Sequence, residues 1–476
     1  MTTFYDLERF GDRTALVTDD LTAISYRKLA AFADRIVRSV PVRSLMFLFA
    51  DNKPESLAAW LGALRRGVIV VHLGKNLPPE SVKTLENAYR PDYFFCPTQR
   101  TDLAAPGDET LETFGAWSLV KRCGGGTSGD LAPPFSELAA LLSTSGSTGS
   151  PKMVRLTAHH FQSNAESIVQ ALHTNPDDRA ITTLPANYSY GLSILHSHWN
   201  VGAAVILTDA ALTEKRFWTL FSEAKPTHFG GVPYTYEMLR RLRFDSLAAP
   251  SLCSISQAGG RMTPERVAEF RDICRQKGIQ LYIMYGQTEA TARIAVLPPE
   301  ELDSKPQSIG RPIAGGKITL IGDRDETVTE PGKPGEIVYS GPNVALGYAQ
   351  NRADLSRGDD FASVLATGDL AVRDSDGCYT IIGRKKRFVK IFGSRVSLDE
   401  VERILAESGI ESAATGTDDR LTVWITVPQR EQFVLEYLSK RTGLARSALE
   451  AIYLPQLPRG ESGKILYAQL GQKGSL

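Results

Sequence analysis

Long hydrophobic runs are missing from this chain: no apolar stretch approaches the roughly 18 residues that a membrane-crossing helix needs. Thr2, Thr3 and Asp6 stand where a secretory leader would carry a basic segment and then an apolar one. Cysteine is scarce. The five, at 96, 123, 253, 274 and 378, are odd in number, widely spaced and without a CxxC pair, which excludes a disulfide framework and a zinc knuckle. Reduced thiols and a cytoplasmic setting are the expectation. A surplus of one charge is also lacking, since 54 basic side chains face 54 acidic ones. That balance gives no support to a nucleic-acid or membrane-surface partner and leaves a small substrate at a locally charged site. No Gly-Lys-Ser/Thr follows a glycine loop at Walker A spacing, so a P-loop is excluded.

What the chain does have is concentrated in residues 141–154, LLSTSGSTGSPKMV. Gly146 and Gly149 leave backbone N–H groups free to close around an anion, Ser143, Thr144, Ser145, Ser147 and Thr148 add hydroxyls, and Lys152 adds a positive charge. A Ser/Gly linker has the same composition. The apolar stretch 138–142 before the loop and the lysine after it favour a polyphosphate cradle fed by a strand.

From 45 to 285, short apolar runs alternate with longer amphipathic ones, the pattern of strands and helices around a mostly parallel sheet. Residues 45–50 and 68–73 read as strands, and 55–66 and 79–89 as helices, the second with proline in its first turn. Further strands are predicted near 180–184, 203–207, 228–230, 252–256 and 280–284, with helices over 158–172, 213–224, 234–242 and 264–276. After Ile309, glycine and proline become frequent and the runs shorten (317–321, 336–339), with Asp376-Gly377 as a hairpin turn. Beyond a boundary near 383–387, helical patterns at 398–407 and 431–441 and strand-like ones at 421–427 and 452–454 make a small α+β domain. The fold class expected is therefore α/β. A large N-terminal domain of mostly parallel α/β sheets spans 1–385, with a β-rich subdomain over about 309–383, and a small mobile C-terminal domain spans 386–476. Residues 124–129 match G-x-G-x-x-G by letter, but Pro133-Pro134 follows rather than a helix, so they read as a surface loop.

Four more motifs carry chemistry. YGQTE at 285–289 follows a predicted strand, at the carboxyl end where open α/β sheets bind ligands. TGD at 367–369 offers a carboxylate to a ribose diol, Gly383-Arg384 opens the domain boundary, and PRGESGK at 458–464 ends on a lysine. Taken singly, Tyr285 reads as core, Arg384 in RKKR as a solvated face and Lys464 as a surface lysine. In this order behind the STSGSTGSPK loop, they resemble the superfamily of adenylate-forming enzymes: acyl-CoA synthetases, adenylation domains and beetle luciferase. The likeness runs from the start of the chain to Leu470.

The resemblance implies a role for each matching position. Thr144, Ser145, Gly146, Ser147, Thr148 and Gly149 with Lys152 hold the β and γ phosphates of ATP. Glu289 is the magnesium-associated glutamate, Thr288 touches the α phosphate, and Tyr285 lies against adenine with the backbone around Gly259 and Gly260. Gly286 and Gln287 belong to the same nucleotide-binding turn, Asp369 binds ribose and Arg384 contacts the nucleotide. Lys464 reaches both the substrate carboxylate and the α phosphate, and Lys386, two residues after the GR pair, is the hinge about which the C-terminal domain turns between half-reactions. Bringing a carboxylate to the α phosphorus joins two anions, so cations and donors are needed more than a strong base. The acyl adenylate then meets a phosphopantetheine thiol, of coenzyme A or of a carrier protein.

Amino-acid-activating members hold the substrate ammonium with an aspartate in the segment matching LPANYSYGLS, at the position occupied here by Ser189. A hydroxyl cannot balance a buried ammonium, so an aliphatic, aryl or hydroxy acid is expected, with Ser189, Tyr190, Ser193 and Gly231 as pocket candidates. Met153 stands where glycine usually follows the loop lysine, a tolerable change if that residue has entered regular structure. The C-terminal domain is some 20 residues shorter than is common in the family, which leaves room for a carrier protein beside free coenzyme A. Three alternatives stand beside this reading: an amino-acid adenylation enzyme, a non-catalytic nucleotide-binding module and a luciferase-like oxidation. His159-His160 and His196/His198 lack helical ligand spacing and read as ordinary polar or core histidines.

Overall fold

The computed structural model describes residues 2–124, 132–143, 152–385, 387–391, 394–417, 419–460 and 463–470. The strand-helix alternation resolves into two sheets rather than one, each parallel inside and antiparallel at its margins. In the first, Leu138–Ser143, Ile69–Gly74, Leu45–Ala50 and Tyr93–Pro97 run parallel in that spatial order. The pair Glu109–Phe114 and Trp117–Lys121 closes one side, and Met153–Thr157 followed by Gly347–Ala349 closes the other. In the second, Gln280–Tyr285, Ser254–Gln257, His228–Gly231, Arg179–Ile181, Ala204–Ile206 and Thr14–Val17 run parallel. Every residue of Leu45–Ala50 is buried, which is why this strand reads as a continuous apolar run rather than an alternating one.

Helix ends follow their capping chemistry. Ala158–Leu172 begins with the Thr157 hydroxyl accepting from the His160 amide at 3.1 Å while His160 Nδ1 accepts from the Thr157 amide at 3.3 Å. Pro264–Lys277 starts on Thr263 and proline and stops at Gly278. The helix Ser189–Val201, which no periodicity announces, is buried from Ser189 through Trp199. A helix covered on all sides has no polar face, so its sequence loses the amphipathic period. His196 sits inside it as an acceptor for the Trp60 indole at 2.9 Å, and His198 Nδ1 lies 2.8 Å from the Ile194 carbonyl oxygen.

After Ile309 the chain forms a five-stranded antiparallel sheet, with Lys317–Ile321, Gly335–Ser340, Val364–Arg373 and Tyr379–Arg384 as successive neighbours. Asp376-Gly377 lies in the turn between the last two. Farther on, Ser412–Thr417, Arg420–Ile425 and Leu449–Tyr453 make a separate three-stranded sheet. Helices Leu398–Glu407 and Glu431–Thr442 share its core through Leu405, Val434 and Leu438. Inside this unit Arg387 bonds Glu402 and the Ala414 carbonyl, each at 2.8 Å. No helix among the described residues is long and apolar enough to cross a membrane.

Candidate active site

Three neighbouring strands of the second sheet end together, with Gly231 beside Gln257 and Gln257 beside Ile283. Their carboxyl ends feed the segments bearing Pro233, Gly259-Gly260 and Gly286-Gln287-Thr288, the edge at which open α/β sheets bind ligands. Gly259 packs toward the Tyr188 hydroxyl and Gly260 toward the Pro233 ring. A Cβ on Gly286 would stand 1.9 Å from the Ala292 carbonyl oxygen, so the backbone can double back here only without a side chain. The doubling is held by the Ile294 amide donating to the Tyr285 carbonyl at 2.8 Å.

Asn343, buried, is the staple of this turn. Its Nδ2 donates to the carbonyls of Ala290 and Arg293 at 2.7 and 2.8 Å, and its Oδ1 accepts from the Tyr339 hydroxyl at 2.7 Å. Between those two carbonyls, Thr291 and Ala292 both have positive φ, 53° and 96°. Residues with a Cβ resist that region, and such strain persists where the surroundings over-determine it. The Ala345 amide adds a bond to the Glu289 carbonyl at 2.9 Å.

Two carboxylates flank the turn. Asp369 is 4% exposed. It faces Arg384 across a strand pair, taking Arg384 Nε on Oδ1 at 2.9 Å and the Tyr285 hydroxyl on Oδ2. Burial and the nearby Asp369 charge push the Tyr285 phenol well above its ordinary value, which keeps it a donor. Each Asp369 oxygen keeps a lone pair for a further donor such as a sugar diol. Gln287 Nε2 stands 3.5 Å from the Tyr285 hydroxyl, outside good hydrogen-bond range.

Glu289 accepts from the Tyr348 hydroxyl at 2.9 Å, and the Tyr348 ring carries the Lys152 ammonium 3.8 Å from its centroid. Tyr348 reaches this place because Gly347–Ala349 pairs with Met153–Thr157, Tyr348 opposite Val154. Met153 opens that strand, so the residue that replaces the usual glycine lies in regular structure. Leu142 and Ser143 pair with Val154 and Met153, which brings together the two ends of the serine-rich loop. Thr144, Ser145, Gly146, Ser147, Thr148 and Gly149 lie outside the described residues, as do 125–129 and Lys386. Among the described residues no group of three or more acidic, histidine or cysteine side chains is arranged to hold a metal ion. A lone carboxylate at Glu289 suits magnesium, which is commonly held by one or two carboxylates and otherwise by phosphate oxygens.

Lys464 comes from the far end of the chain. Arg459 and Ile465 bridge across a tight tip in which the Gly460 amide donates to the Lys464 carbonyl at 2.9 Å. Gly463, at φ 74°, packs so close that a Cβ would lie 3.2 Å from both Tyr234 Cβ and Val232 Cγ2. The Lys464 ammonium lies 5.6 Å from the Tyr188 ring centroid. Burial, with the Arg384 charge, lowers it to about 8, while Glu289 and Asp369 pull the other way.

The expected acid-side residues divide. Ser189 Oγ lies 3.1 Å from Thr288 Oγ1, and the buried Tyr190 hydroxyl donates to the Ser256 carbonyl at 2.8 Å. Ser193 instead donates to the Tyr190 carbonyl within its own helix at 2.7 Å, and Gly231 faces Thr235. The neighbouring Gly230 is the one whose Cβ would meet Tyr190. Sequence reasoning passed over Tyr188, Arg293, Asn343 and Tyr348. The one signal available was a lone polar or charged residue in an apolar setting, as in ATARIAV and PNVALGY.

The family model described as AMP-binding enzyme matches residues 4–349. The chain is 29% identical to the indoleacetate–CoA ligase of Aromatoleum aromaticum over 500 residues, covering 97% of this chain and 96% of that protein. It is 28% identical to the L-proline–(L-prolyl-carrier protein) ligase of Streptomyces coelicolor, covering 89% and 86%. The o-succinylbenzoate CoA synthetase of Bacillus subtilis, solved with its acyl-adenylate intermediate, shares the fold with a TM-score of 0.77 at 23% identity over 98% of both chains.

Proposed function

The chain belongs to the AMP-binding enzyme family, and from that premise we propose that it activates a carboxylic acid with ATP and passes the acyl group to a phosphopantetheine thiol. A carboxylate oxygen bonds to the α phosphorus as the bond to pyrophosphate breaks, the electron pair leaving with pyrophosphate. The thiol sulfur then bonds to the acyl carbon as the bond from that carbon to the phosphate oxygen breaks; AMP leaves with the electron pair and the thiol proton passes to solvent. The observation that carries the reading is the convergence of stretches far apart in the chain: the Lys464 ammonium lies 5.6 Å from the Tyr188 ring centroid, Ser189 lies 3.1 Å from Thr288, the residue before Glu289, and Tyr285 bonds Asp369.

Asp369, pinned by Tyr285 and Arg384, orients the ribose. Lys464 sets an ammonium beside the charge that develops at the α phosphorus, and Thr288, with Ser189, offers hydroxyls there. Magnesium at Glu289, when bound, draws charge from the phosphate oxygens. Lys152 and the serine-rich loop hold the leaving pyrophosphate. The C-terminal part, 386–476, turns about Lys386 after adenylation and withdraws Lys464, so that the thiol enters. Ser189 gives no counter-charge to an ammonium, which supports a non-amino acid such as an aliphatic, aryl or hydroxy acid. Coenzyme A and a carrier protein both suit the acceptor role, and the five unpaired cysteines support a cytoplasmic setting.

The test is pyrophosphate release from ATP and magnesium across a panel of acids, repeated with coenzyme A and with carrier proteins. Acid-dependent release, followed by thioester formation, is expected. Nucleotide binding with no acid-dependent turnover would leave a binding module instead.

A further inference from the structure

Arg293 has no part in the nucleotide chemistry, and its surroundings are unusual for an arginine. It is 1% exposed. The other buried arginines, Arg122, Arg155 and Arg352, each pair with a carboxylate. Arg293 has none among the described residues. Its Nε donates to Met284 Sδ at 3.3 Å, its Nη1 to the Ala292 carbonyl at 3.2 Å, and its guanidinium lies 4.0 Å from the Tyr190 ring centroid. No hydrogen bond to a described residue uses Nη2, which carries two N–H donors. Taking a cation out of water without a counter-charge is strongly unfavourable, so a built position of this kind suits an anion that arrives with a ligand.

The position relative to Lys464 says which ligand. The Tyr188 and Tyr190 rings are 6.2 Å apart. Lys464 stands by the first and Arg293 by the second. Ser189, beside Thr288, opens the helix that carries Tyr190. Among the described residues, two polar neighbours do not compete for the charge: the Tyr190 hydroxyl donates to Ser256, and burial, with neighbouring His198 and Arg293, lowers His228 to about 3, leaving it neutral. We propose that the acid substrate is a dicarboxylic acid, one carboxylate being activated beside Lys464 while the second is held by the Nη2 edge of Arg293. This rests on the adenylation reading and narrows it.

The experiment compares pyrophosphate release for acids matched in skeleton: pentanoate with glutarate, hexanoate with adipate, benzoate with isophthalate, phenylacetate with homophthalate. The diacid of at least one pair is expected to exceed its monoacid in kcat/KM by about 10⁴-fold, the scale on which a site built for a polar group rejects an analogue without it. Arg293→Met should collapse that ratio toward one, and Arg293→Lys should restore part of it. If Arg293→Met does not fold, the wild-type ratio and Arg293→Lys decide. Monoacid turnover with no diacid preference, or a ratio that Arg293→Met leaves in place, overturns this inference while adenylation stands. Release that depends on neither class counts against both.

Discussion

The turn after Tyr285 and the tip that carries Lys464 meet at one site but are built in different ways. Around Glu289 the backbone is fastened by buried donors, with Asn343 spanning the carbonyls of Ala290 and Arg293 and Ala345 bonded to Glu289 itself. In the Lys464 tip, Arg459 ties the described residues to their own unit, bonding Gly463 at 2.6 Å and Glu411 at 2.6 Å. It meets the larger part through surface contacts, Gly463 against Val232 and Tyr234 and Arg459 5.8 Å from the Tyr234 ring centroid. On the proposed reading, the difference separates a face set in advance for charge from a cation that the C-terminal part brings and withdraws.

Lys464→Ala is expected to have the largest effect, slowing adenylation by about 100-fold or more, the scale for losing one donor to developing charge. Thiol transfer from supplied acyl adenylate should survive. Equal collapse of both half-reactions would break the comparison by making the tip a permanent part of the site. Asn343→Ala tests the other side. It leaves the Ala290 carbonyl without its donor and the Arg293 carbonyl with only Asn164 Nδ2 at 3.2 Å and should cost about 2 kcal/mol, read as a lower denaturation midpoint together with weaker adenylation. A stable, fully active variant would show that the turn is held some other way.

A pH profile sharpens the contrast. Lys464 is charged below about 8 and neutral above it, so adenylation should decline as pH rises through that value, approaching about tenfold per unit in the alkaline limb. Lys464→Arg, slower but charged throughout, should flatten that limb; an unchanged limb would assign it to another group. The smallest effect is expected from Tyr348→Phe. It removes a single hydrogen bond to Glu289 while keeping the ring under Lys152, and should raise the magnesium needed for half-maximal rate by about three- to fivefold.

The sequence made helices legible where one face is wet and the ends are capped. The patterns at 79–89, 158–172 and 398–407 coincide with the helices Pro79–Tyr89, Ala158–Leu172 and Leu398–Glu407. It hid Ser189–Val201, which has no wet face, and it hid the division of the strands into two sheets, because periodicity does not say which strands pair. Within the site, motif order named the carboxylates and the lysine but not what orients them. Asn343 and Tyr348 gain their roles from the way remote segments fold back, Tyr348 through a strand that pairs near Lys152. Arg293 was visible as a lone charge among apolar neighbours, yet only burial without a carboxylate partner gives that charge meaning.

Gly463 leads to a last consequence. Where it rests on Val232 and Tyr234, a methyl group would stand 3.2 Å from both, so either they or the tip would have to give by a few tenths of an ångström, and the missing side chain lets the neighbouring amine settle closer. On the proposed reading, the clearance of this seam, a matter of a few tenths of an ångström, bears on how far the Lys464 ammonium advances toward the α phosphorus. A residue with no chemistry of its own thereby determines the reach of the one beside it.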